Sequence, residues 1–355
     1  MQQVDFLATQ PQYFDHIAPV WDALSNDNRG TFYVPIPMID YAVSRLKHRR
    51  YLFGFEDNSP DIYGLNPILV AAFGDMKYSH RISPERRIFM MEHGTGHGFG
   101  GPAWPNGKGD RDLVSLFLAP NKYTAYKIRE VRSTPIEVIG TPKLDWIAQQ
   151  KERLLPFYSN YPPVVCISFH HGSRKRRPPE AGSAFEHYKD YISTLKQNPA
   201  FQLVAHGHPL SRERDVPFYK SIGVPFLHDF VDVLKGVDIY VNDLSSTLYE
   251  FSATGKPVVV MNAPWFRKDV HHGLRFWDYS NIGIHVEEPE QLPSAIMETY
   301  HNDPCIVERH KAVSDLYPFF GYSAKRAADV IREELSEEKD LPPTPAAPPK
   351  EQSLW

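Results

Sequence analysis

Val237–Met261 reads VDIYVNDLSSTLYEFSATGKPVVVM. Its first part is an apolar, β-rich run ending at Val241, the composition of a strand covered on both faces. Asp243 and Leu244 follow as a turn. Ser245, Ser246 and Thr247 then open a helix predicted to stop at Gly255. Glycine suits the left-handed position after a helix, and Pro257 blocks continuation. PVVVMN is the next strand. Strand, helix and strand in so short a stretch specify a parallel sheet with crossover helices.

The start of that helix carries chemistry. Three hydroxyls stand beside unpaired backbone N–H groups and about half a positive charge from the helix dipole. That is a phosphate site without a P-loop. Capping alone would use one hydroxyl. Glu250 lies one helical turn beyond Ser246 and is expected to face the same cleft, bonding ribose hydroxyls.

The alternation continues on both sides. Upstream, VVCISF and FQLVA read as strands around the helix FEHYKDYISTLKQ, followed by a short strand VPFLHD and a helix DFVDVLKG. Downstream come a strand IGIHVE and three helices, the last KRAADVIREEL. The first third repeats the scheme with strands VDFLA, TFYVP, YLFGF, ILVAAF, RIFMMEH, LVSLFLAP and IEVIG. The expected fold class is α/β, two doubly wound Rossmann-like domains with facing strand ends and a cleft between them. We place an acceptor-side domain at 1–140, a linker at 141–163, a nucleotide-donor domain at 164–335 and a disordered, charged and proline-rich tail at 336–355.

Composition agrees. The 355 residues are 42% hydrophobic and 23% charged, with net charge −4. The length suits two domains of about 150 residues. The net charge argues against a nucleic-acid partner. No apolar run approaches the roughly 20 residues that span a bilayer. The N-terminus lacks a signal-peptide pattern, so a cytoplasmic protein is expected, with peripheral attachment to a membrane left open. Two cysteines, Cys166 in an apolar run and Cys305, do not make a disulfide framework.

Other candidates follow strand ends. RIFMMEHGTGHGFGG runs from a strand into a glycine loop, which excludes a helical metal pair of His93 and His97. His93 is suited to take a proton from an attacking hydroxyl. Thr95 and His97 belong to a loop whose backbone can approach an acceptor. AHGHPL places His206 and His208 after a strand, and HHGSRKRR places Ser173 and Arg174 after another. Clustered there with Ser245, such donors would neutralise a diphosphate. No cofactor or metal is expected.

The order of these pieces resembles the CDP-glycerol glycerophosphotransferases, the teichoic-acid polymerase-like branch of the GT-B fold. The matching motifs are EHGTGHGFG at Glu92, VIGTPKLDWI at Val138, ISFHHGSRKR at Ile167, AHGHPL at Ala205 and VNDLSSTLYEFSATGKPVVV at Val241. The resemblance implies that His93 is the catalytic base. It also implies that His208, Ser245 and Ser246 bind donor phosphates, and that Gly140 to Asp145 form the bend between domains. The donor would be CDP-glycerol or a nucleotide sugar, and the acceptor a polyol or glycan, free or lipid-linked.

Three other readings compete. A glycosyltransferase or epimerase would use a UDP- or GDP-sugar in the same fold. A binuclear phosphoesterase could use AHGHP, but it also needs an early Asp-x-His after a strand, and the chain has none there. A binding module would keep the fold without turnover. Asp110-Arg111-Asp112 precedes a strand rather than following one, so it is read as ordinary loop charge.

Overall fold

The structure is a computed structural model and describes residues 2–56, 64, 66–82, 84–94, 113–130, 133–149, 162–172, 183–243, 245–266 and 277–336. Seven strands form a first parallel sheet: β1 (Val4–Leu7), β2 (Arg29–Pro35), β3 (Leu52–Phe55), β4 (Ile68–Val70), β5 (Ile88–Met91), β6 (Val114–Ala119) and β7 (Ile136–Val138). Their order is β3-β2-β1-β4-β5-β6-β7. Five strands form a second: β8 (Val164–Phe169), β9 (Gln202–Gly207), β10 (Ile239–Asn242), β11 (Val258–Met261) and β12 (Gly283–Val286), ordered β12-β11-β10-β8-β9. All pairings are parallel.

Both sheets are covered on two faces, which is why their strands are apolar without alternation. Phe6 and Leu7 are both fully buried yet belong to cores on opposite faces. Cys166 and Ile167 divide the second sheet in the same way. The helices that cover them are α1 (Pro11–Ala23), α2 (Ile39–Arg45), α3 (Phe73–Ile82), α4 (Lys122–Arg129), α5 (Asp145–Gln149), α6 (Phe185–Lys196), α7 (Arg212–Ser221), α8 (Phe230–Gly236), α9 (Ser246–Ser252), α10 (Leu292–Asn302), α11 (Ile306–Leu316) and α12 (Ser323–Ser336). Among the described residues no helix is long and apolar enough to cross a membrane.

Two of the departures from the sequence expectation concern how the sheets are built. VPFLHD makes one isolated bridge, Ala205 to Phe226, instead of a strand. The helix α12 falls in 164–335 for all but its last residue, yet its Ala327, Ala328, Val330 and Ile331 pack into the core of the first sheet beside Trp21 and Phe14. The chain therefore crosses between the sheets twice.

Those crossings are tied together. Asp145 accepts from the backbone N–H groups of Gly321 (3.1 Å), Ser323 (3.1 Å) and Ala324 (2.7 Å). A carboxylate there answers the open N–H groups and positive dipole end of α12. Gly140 has φ +85°, and a Cβ on it would fall 2.3 Å from the carbonyl oxygen of Pro318. Only glycine fits that left-handed, crowded position.

Candidate active site

The strand order reverses between β1 and β4 in the first sheet and between β8 and β10 in the second. Open parallel sheets bind ligands at such switch points, beyond the strand C-termini. Here both sets of strand ends line one cavity of about 470 Å³. Pro11, Gln12, Asp15, His16, His93 and Gly94 come from the first domain. Residues after β8, β9 and β10 face them.

His93 follows β5, whose four residues are all buried. Its Nδ1 lies 2.8 Å from the carbonyl oxygen of Ala71, just past β4. A carbonyl only accepts, so Nδ1 carries the hydrogen and Nε2 keeps a lone pair. Tyr13 meets the ring edge-on at 4.9 Å and His16 at 6.5 Å. The imidazole is thus held in the tautomer of a base.

Gly94 brings the domains together. A methyl carbon in place of its hydrogen would lie 3.2 Å from both Cβ and Oγ of Ser246. The backbone after β5 therefore approaches the first turn of α9 as closely as a glycine permits.

At that turn Ser245 is the N-cap. Its Oγ accepts from the Thr247 N–H at 3.3 Å and the Thr247 hydroxyl at 2.9 Å. Thr247 Oγ1 is 3.0 Å from the Tyr240 hydroxyl. Tyr240 is fully buried, and burial holds its phenol protonated. Because Thr247 gives its hydrogen to Ser245, Tyr240 is the donor at the other contact. Both lone pairs of Ser245 are then taken, and its own hydrogen is left to donate outward, as an anion requires. Thr247 acts inside this chain and turns its hydroxyl to protein. The helix ends at Ser252, earlier than predicted, and Gly255 follows with φ +82°.

His208 faces the same end. Its Nδ1 accepts from the Leu210 N–H at 3.1 Å, so its Nε2 carries the hydrogen when the ring is neutral. His93 and His208 thus hold opposite tautomers, one offering a lone pair and the other a donor. His170, His171 and His208 form a cluster of mutually tilted rings, with centroids 4.1, 4.6 and 5.5 Å apart. The His170 N–H bonds Asp243 at 2.8 Å, fixing the chain as it leaves β8. Among the described residues no group of three His, Cys, Asp or Glu side chains is arranged to hold a metal ion.

Glu250 lines the cavity but is 1% exposed and bonded to Lys143 Nζ at 2.7 Å. His16 Nε2 lies 3.9 Å from its other oxygen. Lys143 comes from the 3₁₀ turn Pro142–Leu144 at the domain junction. One carboxylate therefore meets the junction and both domains.

His206 lies beneath, its Nδ1 2.8 Å from the carbonyl oxygen of Leu227. Burial pulls its pKa down to about 4. The native state then favours the neutral ring. Its contribution to stability is complete above the unfolded pKa of about 6.5 and is lost as pH falls through about 4. Asp75, bonded to the Thr9 hydroxyl at 2.5 Å, works oppositely: burial raises it to about 6, so its contribution is present at low pH and fades as pH rises through that value. His206→Asn, which can still donate to Leu227, isolates the first effect. Denaturant titrations at pH 7 and pH 4 are expected to show the native protein losing about 3 kcal/mol more than the variant.

Of the residues singled out in the sequence, His93, His208, Ser245, Ser246, Thr247 and Glu250 converge on the cavity. Thr95, His97, Ser173, Arg174 and the 336–355 tail beyond Ser336 lie outside the described residues. Sequence reasoning passed over His170, His171, Lys143 and Asp15. The two histidines were legible as the first residues after a switch-point strand. Lys143 sits in the motif VIGTPKLDWI, where nothing marks it as a partner of Glu250.

Two Rossmann-like domains facing across a cleft, with the last helix returned to the first domain, define the GT-B architecture. Solved structures share it. A putative UDP-N-acetylglucosamine 2-epimerase from Listeria monocytogenes matches with TM-score 0.62 and 15% identity over 96% of this chain and 98% of that one. The wall teichoic acid polymerase TagF matches with TM-score 0.61 and 15% identity over 94% and 90%. A UDP-GlcNAc 2-epimerase from Neisseria meningitidis bound to UDP-GlcNAc matches with TM-score 0.56 and 16% identity over 94% and 99%. No family model matches the chain, and no curated protein matches it.

Proposed function

We propose that this protein is a transferase that moves a glycerophosphate or related group from a CDP-linked donor to an acceptor hydroxyl. The observation that carries the reading is that His93 and the Ser245–Ser246 helix start, from opposite domains, line one cavity, with Gly94 against Ser246. The donor diphosphate lies against Ser245, Ser246 and His208, with its ribose at Glu250. His93 takes the acceptor proton at Nε2 as the acceptor oxygen attacks the β-phosphorus. The bond from that phosphorus to the bridging oxygen breaks, and CMP leaves with the electron pair. Hydrogen-bond donors at the first turn of α9 and at His208 stabilise the charge gathering on the leaving phosphate. Thr95 and His97 are assigned to the acceptor side, and Ser173 and Arg174 to the donor phosphates. The acceptor is a polyol or glycan, and the site of action is the cytoplasm or its membrane surface.

A second reading is supported by the epimerase neighbours, one of them bound to UDP-GlcNAc. The same diphosphate grip would then serve a nucleotide sugar, with bond cleavage at its anomeric carbon. The test is a thermal-shift panel of CDP, UDP, GDP and ADP. A ligand at a hundredfold excess over Kd stabilises the native state by about 2.7 kcal/mol. Cytidine or uridine diphosphate is expected to raise Tm, and a response to ADP alone would sink the donor assignment.

A further inference from the structure

Besides the phosphate end, the cavity is lined by Glu250, Lys143, Asp15 and Asp229, three carboxylates around one lysine. Four residues along α9, about 6 Å, separate Ser246 from Glu250. Beyond Glu250 stands Lys143, whose Nζ lies 5.2 Å from the Phe230 ring centroid. Beyond Lys143 are two carboxylates. Asp15 of α1 accepts from the Tyr41 hydroxyl at 2.7 and 2.8 Å. Asp229 caps α8 and is paired with Arg45, which also reaches Asp15 at 3.6 Å. A donor with phosphates at Ser246 and ribose at Glu250 puts its base at this wall.

We propose that Asp15, backed by Asp229, selects a cytosine over a uracil base in the donor. Cytosine presents an exocyclic amine on the edge where uracil presents a carbonyl oxygen. A carboxylate accepts from the amine and repels the carbonyl, and a site built for a donor rejects an analogue lacking it. Burial raises the pKa of Asp15, against the pull of Lys143, Tyr41 and Arg45. An incoming amine supplies the carboxylate with one more hydrogen bond. The first domain contributes Asp15, so selection requires that domain at the cavity as well as the second. Asp15 acts on specificity and takes no part in bond making.

This inference rests on the donor reading above, and its experiment separates the two. Isothermal titration with CDP and UDP is done on the full chain, on Asp15→Asn and on Tyr41→Phe, with the Tm of each variant measured without nucleotide. The native protein is expected to favour CDP by at least tenfold. Asp15→Asn, whose amide can donate to the uracil carbonyl, is expected to bring the ratio near one or invert it. Tyr41→Phe leaves the carboxylate with one donor fewer and is expected to keep the preference for CDP, which serves as the check if Asp15→Asn folds poorly. A native ratio within threefold, an unchanged ratio in Asp15→Asn, or a lost preference in Tyr41→Phe overturns the inference while leaving the donor site standing. Binding of neither CDP nor UDP overturns the donor reading and the inference with it.

Discussion

His93→Ala is expected to cut turnover by roughly 10²- to 10⁴-fold, about 3–5 kcal/mol of barrier, while nucleotide affinity changes little. The size follows from what the side chain does. Ala71 holds Nδ1–H at 2.8 Å, leaving Nε2 as the only ring atom able to take a proton. Tyr13 and His16 fix the ring plane. Alanine removes the proposed base without touching Ser245, Ser246 or His208, where the diphosphate binds in the same reading. A His93→Gln control retains a hydrogen-bonding side chain but supplies no basic nitrogen, and should be as slow. The measurement is kcat with the activating nucleotide donor, set beside Kd for CDP by titration. A variant that loses both in proportion would assign His93 to donor binding. One that keeps full turnover would remove it from the mechanism. The binding-module reading predicts no turnover in the native chain at all.

Much of this site was legible in the sequence. Short continuous apolar runs such as IFMM and VVVM, bounded by glycine or proline nearby, read as strands buried on both faces, and the described sheets contain them. The triple hydroxyl of Ser245–Thr247 marked a helix start after a strand, because one N-cap does not need three. What could not be read was the division of labour among those hydroxyls. It depends on Tyr240, which sequence shows only as an apolar strand residue. The helix α7 escaped notice because RERDVPFYKS has almost no apolar periodicity and carries Pro217 inside it. Its register is set by contacts such as Tyr219 in the core of the second sheet, and sequence alone does not show those. The return of α12 to the first domain was hidden for a similar reason. An amphipathic helix announces that it has a buried face, but the identity of the sheet beneath is decided by the crossing at Asp145 and Gly140.

Lys143→Met is expected to destabilise the protein by about 3–5 kcal/mol, the cost of leaving a buried carboxylate without its partner. Glu250 is 1% exposed and Lys143 10%, so little water screens the 2.7 Å pair. Methionine keeps the length and packing of the stem over Phe230 but removes the charge. The asymmetry of the pair supplies the check. Lys143 also feels the charge of Asp15, so Glu250→Gln leaves the lysine a second anion. Removing the lysine leaves two carboxylates without their shared cation. Glu250→Gln alone should therefore cost much less than Lys143→Met, and adding it to Lys143→Met should recover a substantial part of the loss. Urea titrations of the three variants give the stabilities, and the coupling between positions 143 and 250 follows from the double-mutant cycle. Additive losses would show that the contact contributes nothing as a pair. Because Lys143 belongs to the junction and Glu250 to the helix that begins at Ser245, a strong coupling has a functional corollary. It would mean that the link at the domain junction and the proposed seat for the donor ribose are one structure, so donor affinity should fall in Lys143→Met even at temperatures where the variant is fully folded.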